Sequence, residues 1–291
     1  MTRELPTLWQ EIGDLPHQLS YLDVGPWRTR VLSVGANTPE RETIVLMAGT
    51  SGHLEAFTHN IRALAADYHV IAYDYPGHGF STLAAENLEI ADYEDHLLGL
   101  LDLLGLDRAH LCGESLGGWI ALKFAQKHPE RVRTLILSAP GGQVISQNAM
   151  GRARSISRDA VAEPSFANVK ARLQVVIHDP ELISDELVRM RQAVYARDGF
   201  AASMDHIMAL QQPDIRFRNR VTEEDYAAVP VPVLLVWTDH EPSGGVDTGE
   251  RFAAALPDGE LLVIRNAAHW PQWEDPRAFN ERALDFLARK G

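Results

Sequence analysis

Ser115 stands between Gly113 and Gly117 in the run Leu-Cys-Gly-Glu-Ser-Leu-Gly-Gly-Trp, residues 111–119. Small residues two places either side of a serine permit a tight strand-to-helix turn. Such a turn lifts the hydroxyl out of the fold and leaves the next backbone N–H, that of Leu116, to bind an anion. Residues 108–113 read as a short strand, and the run from Leu116 reads as a helix ended by Pro129. In that context Ser115 is the candidate nucleophile, with a helix-capping serine as the plainer reading.

A serine hydroxyl needs a base within hydrogen-bond reach to attack at neutral pH. Of the 12 histidines, His269 stands apart because it follows the last strand-like run, in Asn-Ala-Ala-His-Trp. That places it at the carboxyl edge of a sheet, where open α/β sheets bind ligands. The base needs a carboxylate to hold its tautomer and stabilise the imidazolium. Asp239 and Glu241 both follow the strand-like run 233–238, and both are candidates.

These residues must be carried by alternating strands and helices. Strand-like runs fall at 28–35, 42–49, 68–75, 108–113, 132–139, 230–238 and 260–265. Helical periodicity covers 54–67, 90–106, 116–128 and 248–256, and a last helix starts with Asp275 as cap and Pro276 at its first position. Strands rich in Val, Ile and Leu alternating with helices predict a mostly parallel sheet flanked by helices. A short turn at 36–41 predicts that the first two of those strands pair antiparallel. Residues 141–228 break the rhythm with several helical stretches (165–176, 184–197, 201–210) and no convincing strand. So long a segment between strands predicts a helical insertion roofing the strand ends. The expected organisation is a core of residues 1–140 and 229–291 with a helical cap at 141–228.

Composition narrows the partners. The 291 residues are 45% apolar and 23% charged, as in a soluble globular protein. A net charge of −13 argues against nucleic-acid or anionic-membrane partners, because phosphate would be repelled. The expected partner is a small-molecule substrate. Cys112 is the only cysteine, so no internal disulfide or cysteine zinc site can form, which suits a reducing cytoplasm. The N-terminus shows no signal-like apolar run, and no stretch approaches the roughly 18 apolar residues of a membrane span. The glycines call for no phosphate and the chain for no cofactor, since no Lys-Ser/Thr follows them as in a P-loop.

The order Ser115, acid, His269 resembles that of the α/β-hydrolase fold, and the resemblance covers the whole chain. It implies a Ser-His-acid triad. In that fold the acid usually comes four residues into the turn after its strand; in Thr238-Asp-His-Glu this place belongs to Glu241, leaving Asp239 as the alternative. The family's His-Gly-x oxyanion loop corresponds to Ala48-Gly49-Thr50, so Thr50 joins Leu116 as an implied oxyanion donor, with Ala48 where the family has His. Asp74-Tyr-Pro-Gly-His-Gly-Phe-Ser81 resembles the fold's Asp-x-x-Gly-x-Gly-x-Ser structural turn. A serine at 115 disfavours the branches that use an aspartate nucleophile.

The segment His269-Trp-Pro-Gln-Trp-Glu274 resembles the His-Trp-Ala/Pro-Gln-Trp-Glu signature of meta-cleavage product hydrolases, and Gly52-His-Leu-Glu-Ala-Phe57 is similar to that family too. These enzymes cut a carbon–carbon bond in 2-hydroxy-6-oxo-hexa-2,4-dienoates formed by ring-opening of catechols. The resemblance implies that Arg191, with Arg189 as its near neighbour, binds the dienoate carboxylate, and that Trp270 walls the dienoate. A planar guanidinium suits both carboxylate oxygens. Relatives are often homo-oligomers. Glu114 departs from the family's Asn before the nucleophile and would face the substrate, changing the charge of the pocket. A carboxylesterase or lactonase with the same triad is the alternative activity, and a binding protein with idle residues is the non-enzymatic one.

Overall fold

The computed structural model describes residues 6–38, 40–143 and 147–291, apart from the side chains of 147–154. Residues 1–5, Pro39 in the 36–41 turn and residues 144–146 of the 141–228 segment lie outside the described residues. Eight strands form one sheet: β1 (His17–Val24), β2 (Trp27–Val34), β3 (Thr43–Met47), β4 (His69–Tyr73), β5 (Ala109–Glu114), β6 (Val132–Ser138), β7 (Val233–Thr238) and β8 (Gly259–Ile264). Their order is β1-β2-β4-β3-β5-β6-β7-β8. Pairing is parallel from β4 to β8 and antiparallel for β1–β2 and β2–β4.

Every residue of β3, β4, β5 and β7 is buried. Near-continuous Val, Ile and Leu in these strands is what a sheet covered on both faces requires. Each such side chain contributes roughly 1.5–3 kcal/mol when fully buried. Helices Ile90–Leu103 and Leu116–Lys127 pack together, the latter on β5 and β6; Pro276–Lys290 packs on β6, β7 and β8 and against Thr58–Leu64. Asp275 caps the last helix by accepting from the Ala278 N–H, with Pro276 next, as the sequence predicts.

The antiparallel start is real, but its partners differ from the expected ones. The strand at 43–47 does not pair with 27–34; it lies inside, between β4 and β5, and β2 pairs with β1 and β4. β1 was not anticipated. It is an edge strand, with Leu19 and Tyr21 exposed among polar residues, so it lacks the apolar run that marks a buried strand. β3 connects to β4 on one side while β5 lies on its other side. Such a switch point is where ligands bind in open sheets.

Between β6 and β7 the regular elements of the described chain are all helices, including Gln147–Ala162, Phe166–Leu173, Asp185–Tyr195, Phe200–Ile207 and Pro213–Asn219. Ser165 and Ser184 cap two of them with side-chain hydrogen bonds. The Arg197 guanidinium donates to the carbonyls of Gly79 and Ser81, and the Trp119 indole to that of Asn219, tying these helices to the sheet layer.

Candidate active site

The turn after β5 explains the glycines around Ser115. Ser115 has φ 52° and ψ −110°. A left-handed φ costs a non-glycine residue roughly 1–2 kcal/mol. Ser115 N–H donates to the Ser138 carbonyl at 3.0 Å, and Gly117 N–H to that of Ala48 at 3.2 Å, holding the turn between β3 and β6. A Cβ on Gly113 would stand 2.2 Å from the carbonyl carbon of Gly117, and one on Gly117 2.2 Å from the Met47 carbonyl oxygen. No larger residue fits either place.

Ser115 Oγ lies 2.8 Å from His269 Nε2, and His269 Nδ1 lies 2.8 Å from Glu241 Oε2. The other Glu241 oxygen accepts the Ser243 N–H at 3.0 Å. Asp239 is turned elsewhere: its carboxylate accepts from the Ala267 N–H at 3.4 Å. Its slight burial is outweighed by backbone N–H groups, which lower its pKa. Of the two candidate acids, the fold brings only Glu241 to the imidazole. Burial opposes charge on His269, but Glu241, by charge and hydrogen bond, and then Glu114 raise its pKa to about 9.

Three contacts hold the His269 loop. The Thr238 hydroxyl donates to the Ala268 carbonyl at 2.6 Å, and His269 N–H to that of Val176 at 2.9 Å. Glu274 accepts from the N–H groups of Ala268 (2.8 Å), His178 (2.7 Å) and Trp270 (3.4 Å). Glu274 closes the 269–274 signature, yet its part in placing the base could not be read from spacing. The Trp273 indole donates to the Leu182 carbonyl at 2.9 Å, a packing role.

Above Ser115 lies a cavity of about 500 Å³, lined among others by Thr50, Glu114, Leu116, Arg191, His269 and Trp270. Thr50, after β3, and Leu116, after β5, line the same cavity as the serine, and Leu116 opens a helix, whose first-turn N–H groups have no intrahelical acceptor. Arg191 is 1% exposed; its Nη1 lies 3.4 Å from the Tyr195 hydroxyl, and its Nε and Nη2 have no hydrogen-bond partner among the described residues. The Trp270 ring lies 5.3 Å from its guanidinium carbon. Arg189 is exposed over Phe166, off the cavity.

Two further guanidinium groups line the cavity that sequence patterns did not single out. Burial depresses the Arg172 pKa, and burial brings that of Arg216 down to about 10. Both sit on amphipathic helices where an arginine ordinarily faces water, so only packing reveals them. The Tyr195 hydroxyl, 3.2 Å from Ser51 Oγ, is the other addition. Burial opposes its ionisation, but Arg191 and Arg172 together bring its pKa down. Among the described residues no group of three His, Cys, Asp or Glu side chains is gathered to hold a metal ion.

Residues 42–276 match the family model for the alpha/beta hydrolase fold. A 2-hydroxy-6-oxononadienedioate/2-hydroxy-6-oxononatrienedioate hydrolase from Paraburkholderia phymatum is 32% identical, over 86% of this chain and 88% of its own. A 2-hydroxy-6-oxo-6-phenylhexa-2,4-dienoate hydrolase from Burkholderia cepacia is 33% identical over 77% of this chain and 79% of its own. The solved meta-cleavage product hydrolase from Pseudomonas fluorescens superposes with a TM-score of 0.77 at 26% identity, covering 97% of this chain and 99% of its own.

Proposed function

This chain belongs to the alpha/beta hydrolase family, and on that premise we propose that it hydrolyses a carbon–carbon bond in 2-hydroxy-6-oxo-hexa-2,4-dienoate-type meta-cleavage products. The observation that carries this reading is Arg191, a buried guanidinium with two nitrogens unpartnered, facing the same cavity as the Ser115–His269 pair. Such a cation favours a substrate that brings its own carboxylate. The names of the relatives point to the same substrates.

In this reading Ser115 is the nucleophile, His269 the base and Glu241 the acid that orients it. Arg191 takes the dienoate carboxylate and Trp270 walls the chain. After the dienol ketonises, Ser115, or water activated by the Ser115–His269 pair, adds to the C6 carbonyl. The resulting oxyanion rests on the N–H groups of Thr50 and Leu116. The C5–C6 bond then breaks, leaving 2-hydroxypenta-2,4-dienoate and a carboxylic acid. The described residues of 141–228 act as a cap over a core formed by the described residues of 1–140 and 229–291. No helix among the described residues is long and apolar enough to cross a membrane; a cytoplasmic, homo-oligomeric enzyme without cofactor completes the proposal.

A carboxylesterase or lactonase using the same triad is the second reading. Glu114 favours it in its ionised form only, because a carboxylate there would oppose an anionic substrate. Purified protein should bleach the absorbance of a 2-hydroxy-6-oxo-dienoate faster than it cleaves a p-nitrophenyl ester. Strong ester turnover with the dienoate absorbance unchanged rejects the carbon–carbon reading.

A further inference from the structure

Glu114 is 0% exposed and lines the cavity, and neither carboxyl oxygen has a hydrogen-bond partner of good geometry among the described residues. Its Oε1 lies 3.7 Å from His269 Nε2, on the side opposite Glu241. The carboxyl group fills the space that a side chain at position 49 would need: a Cβ on Gly49 would stand 2.5 Å from Oε2. Thus β3 and β5 leave a slot for this group, beside the base. Burying a carboxylate with no hydrogen bond of good geometry is costly, so burial pushes this group toward its neutral acid form against the pull of its charged neighbours.

We propose that Glu114 is a second acid–base residue, holding one proton in common with His269 and delivering it to the C2 oxygen of the departing dienolate. This rests on the carbon–carbon reading for its substrate. The need is chemical. When the C5–C6 bond breaks, its electron pair is delocalised onto the C2 oxygen, five bonds from the carbonyl carbon that Ser115 attacks. His269, bonded to Ser115, serves the C6 end. Glu114 lies within electrostatic reach of both His269 and Arg191, the ends at which acyl group and carboxylate are held.

The protons balance. Ser115 Oγ bonds to C6 as its proton passes to Nε2, and the C5–C6 bond breaks to give the dienolate. Glu114 gives its proton to the C2 oxygen, forming the 2-hydroxydienoate, and regains one from the imidazolium. The neutral imidazole then takes a proton from water as its oxygen attacks the acyl-serine, and returns a proton to Oγ as the acid leaves. As a neutral acid, Glu114 does not repel the anionic substrate.

The charged and titratable groups facing Glu114 are His269, Arg191, Glu241, Arg172 and Tyr75. Burial raises Glu114 to about 7, against the pull of His269, Gly49 N–H and Arg191, while His269 rises to about 9. The pair titrates in two macroscopic steps, and its singly protonated form is the active one. Wild-type kcat/KM on a dienoate should therefore rise through about 7 and fall through about 9.

E114Q, neutral and of the same shape, should show only the rising limb, and its kcat on the dienoate should fall about 100-fold. That loss should exceed its loss on p-nitrophenyl acetate at least tenfold, because nitrophenolate leaves without a proton. Equal losses, or a wild-type profile with no alkaline fall, overturn the proposal. A chain that cleaves no dienoate is tested instead by the rate at which a fluorophosphonate labels Ser115. Its inflection should move to lower pH in E114Q, whose fold is checked by circular dichroism; coincident inflections overturn the shared proton whatever the substrate.

Discussion

His269 Nδ1 and Glu241 Oε2 lie 2.8 Å apart, while Asp239, two residues nearer the strand, bonds the backbone of the neighbouring loop instead. The turn after β7 carries the longer acid under the imidazole, and the shorter one stays at the rim. Glu241→Gln should lower kcat by about 10³–10⁴, as loss of tautomer control does in other triads. Asp239→Asn should cost less than tenfold. Steady-state kinetics of the two variants side by side decides the assignment, and a larger loss in Asp239→Asn reverses it.

Ser115 sits at φ 52°, a conformation that costs any residue with a Cβ. Ser115→Gly should abolish turnover yet melt at or above the wild-type temperature, since about 1 kcal/mol of strain is relieved. Ser115→Ala should be equally inactive without that gain. A Ser115→Gly protein that melts several degrees lower contradicts the strained turn.

Arg191 is buried with two nitrogens unpartnered. Charge-assisted hydrogen bonds are worth about 1.5–3 kcal/mol, so Arg191→Ala should raise KM for dienoates roughly 10–100-fold. The effect on neutral esters should be far smaller. Equal effects on both substrate classes remove the carboxylate clamp.

Glu114 also links pH to stability. Its pKa in the folded protein, about 7, lies above the ordinary 4.5, so the fold binds its proton more tightly than the unfolded chain does. Its favourable contribution is complete below 4.5 and is lost as pH rises through about 7, on the order of 3 kcal/mol in all. Melting temperatures of E114Q should therefore gain on wild type between pH 5 and pH 8. A constant difference across that range contradicts a buried, ionisable Glu114.

Glu274 accepts three backbone N–H groups that position the His269 loop. Glu274→Ala leaves these donors without that acceptor, at about 1–3 kcal/mol for each one left unsatisfied. Thermal unfolding should come several degrees earlier, and kcat should fall more than KM rises. Unaltered kcat with a lower melting temperature confines Glu274 to stability.

Residue types and spacing alone determined the strand–turn–helix around Ser115, because a Cβ at Gly113 would stand 2.2 Å from the Gly117 carbonyl carbon, so the turn tolerates no larger residue there. They also determined which runs become buried strands, though not that β3 lies between β4 and β5, and the helix that starts at Asp275-Pro276. Tertiary structure decided what depends on direction and burial. The edge strand β1 mixes polar and apolar residues and takes its place only by pairing with β2. Asp239 and Glu241 are equivalent as acids until the turn after β7 aims one at His269. Glu114 reads as a charge in the sequence, but enclosure between β3 and His269, with no hydrogen bond of good geometry among the described residues, makes it a proton store, because desolvation depends on what surrounds a group rather than on the group itself.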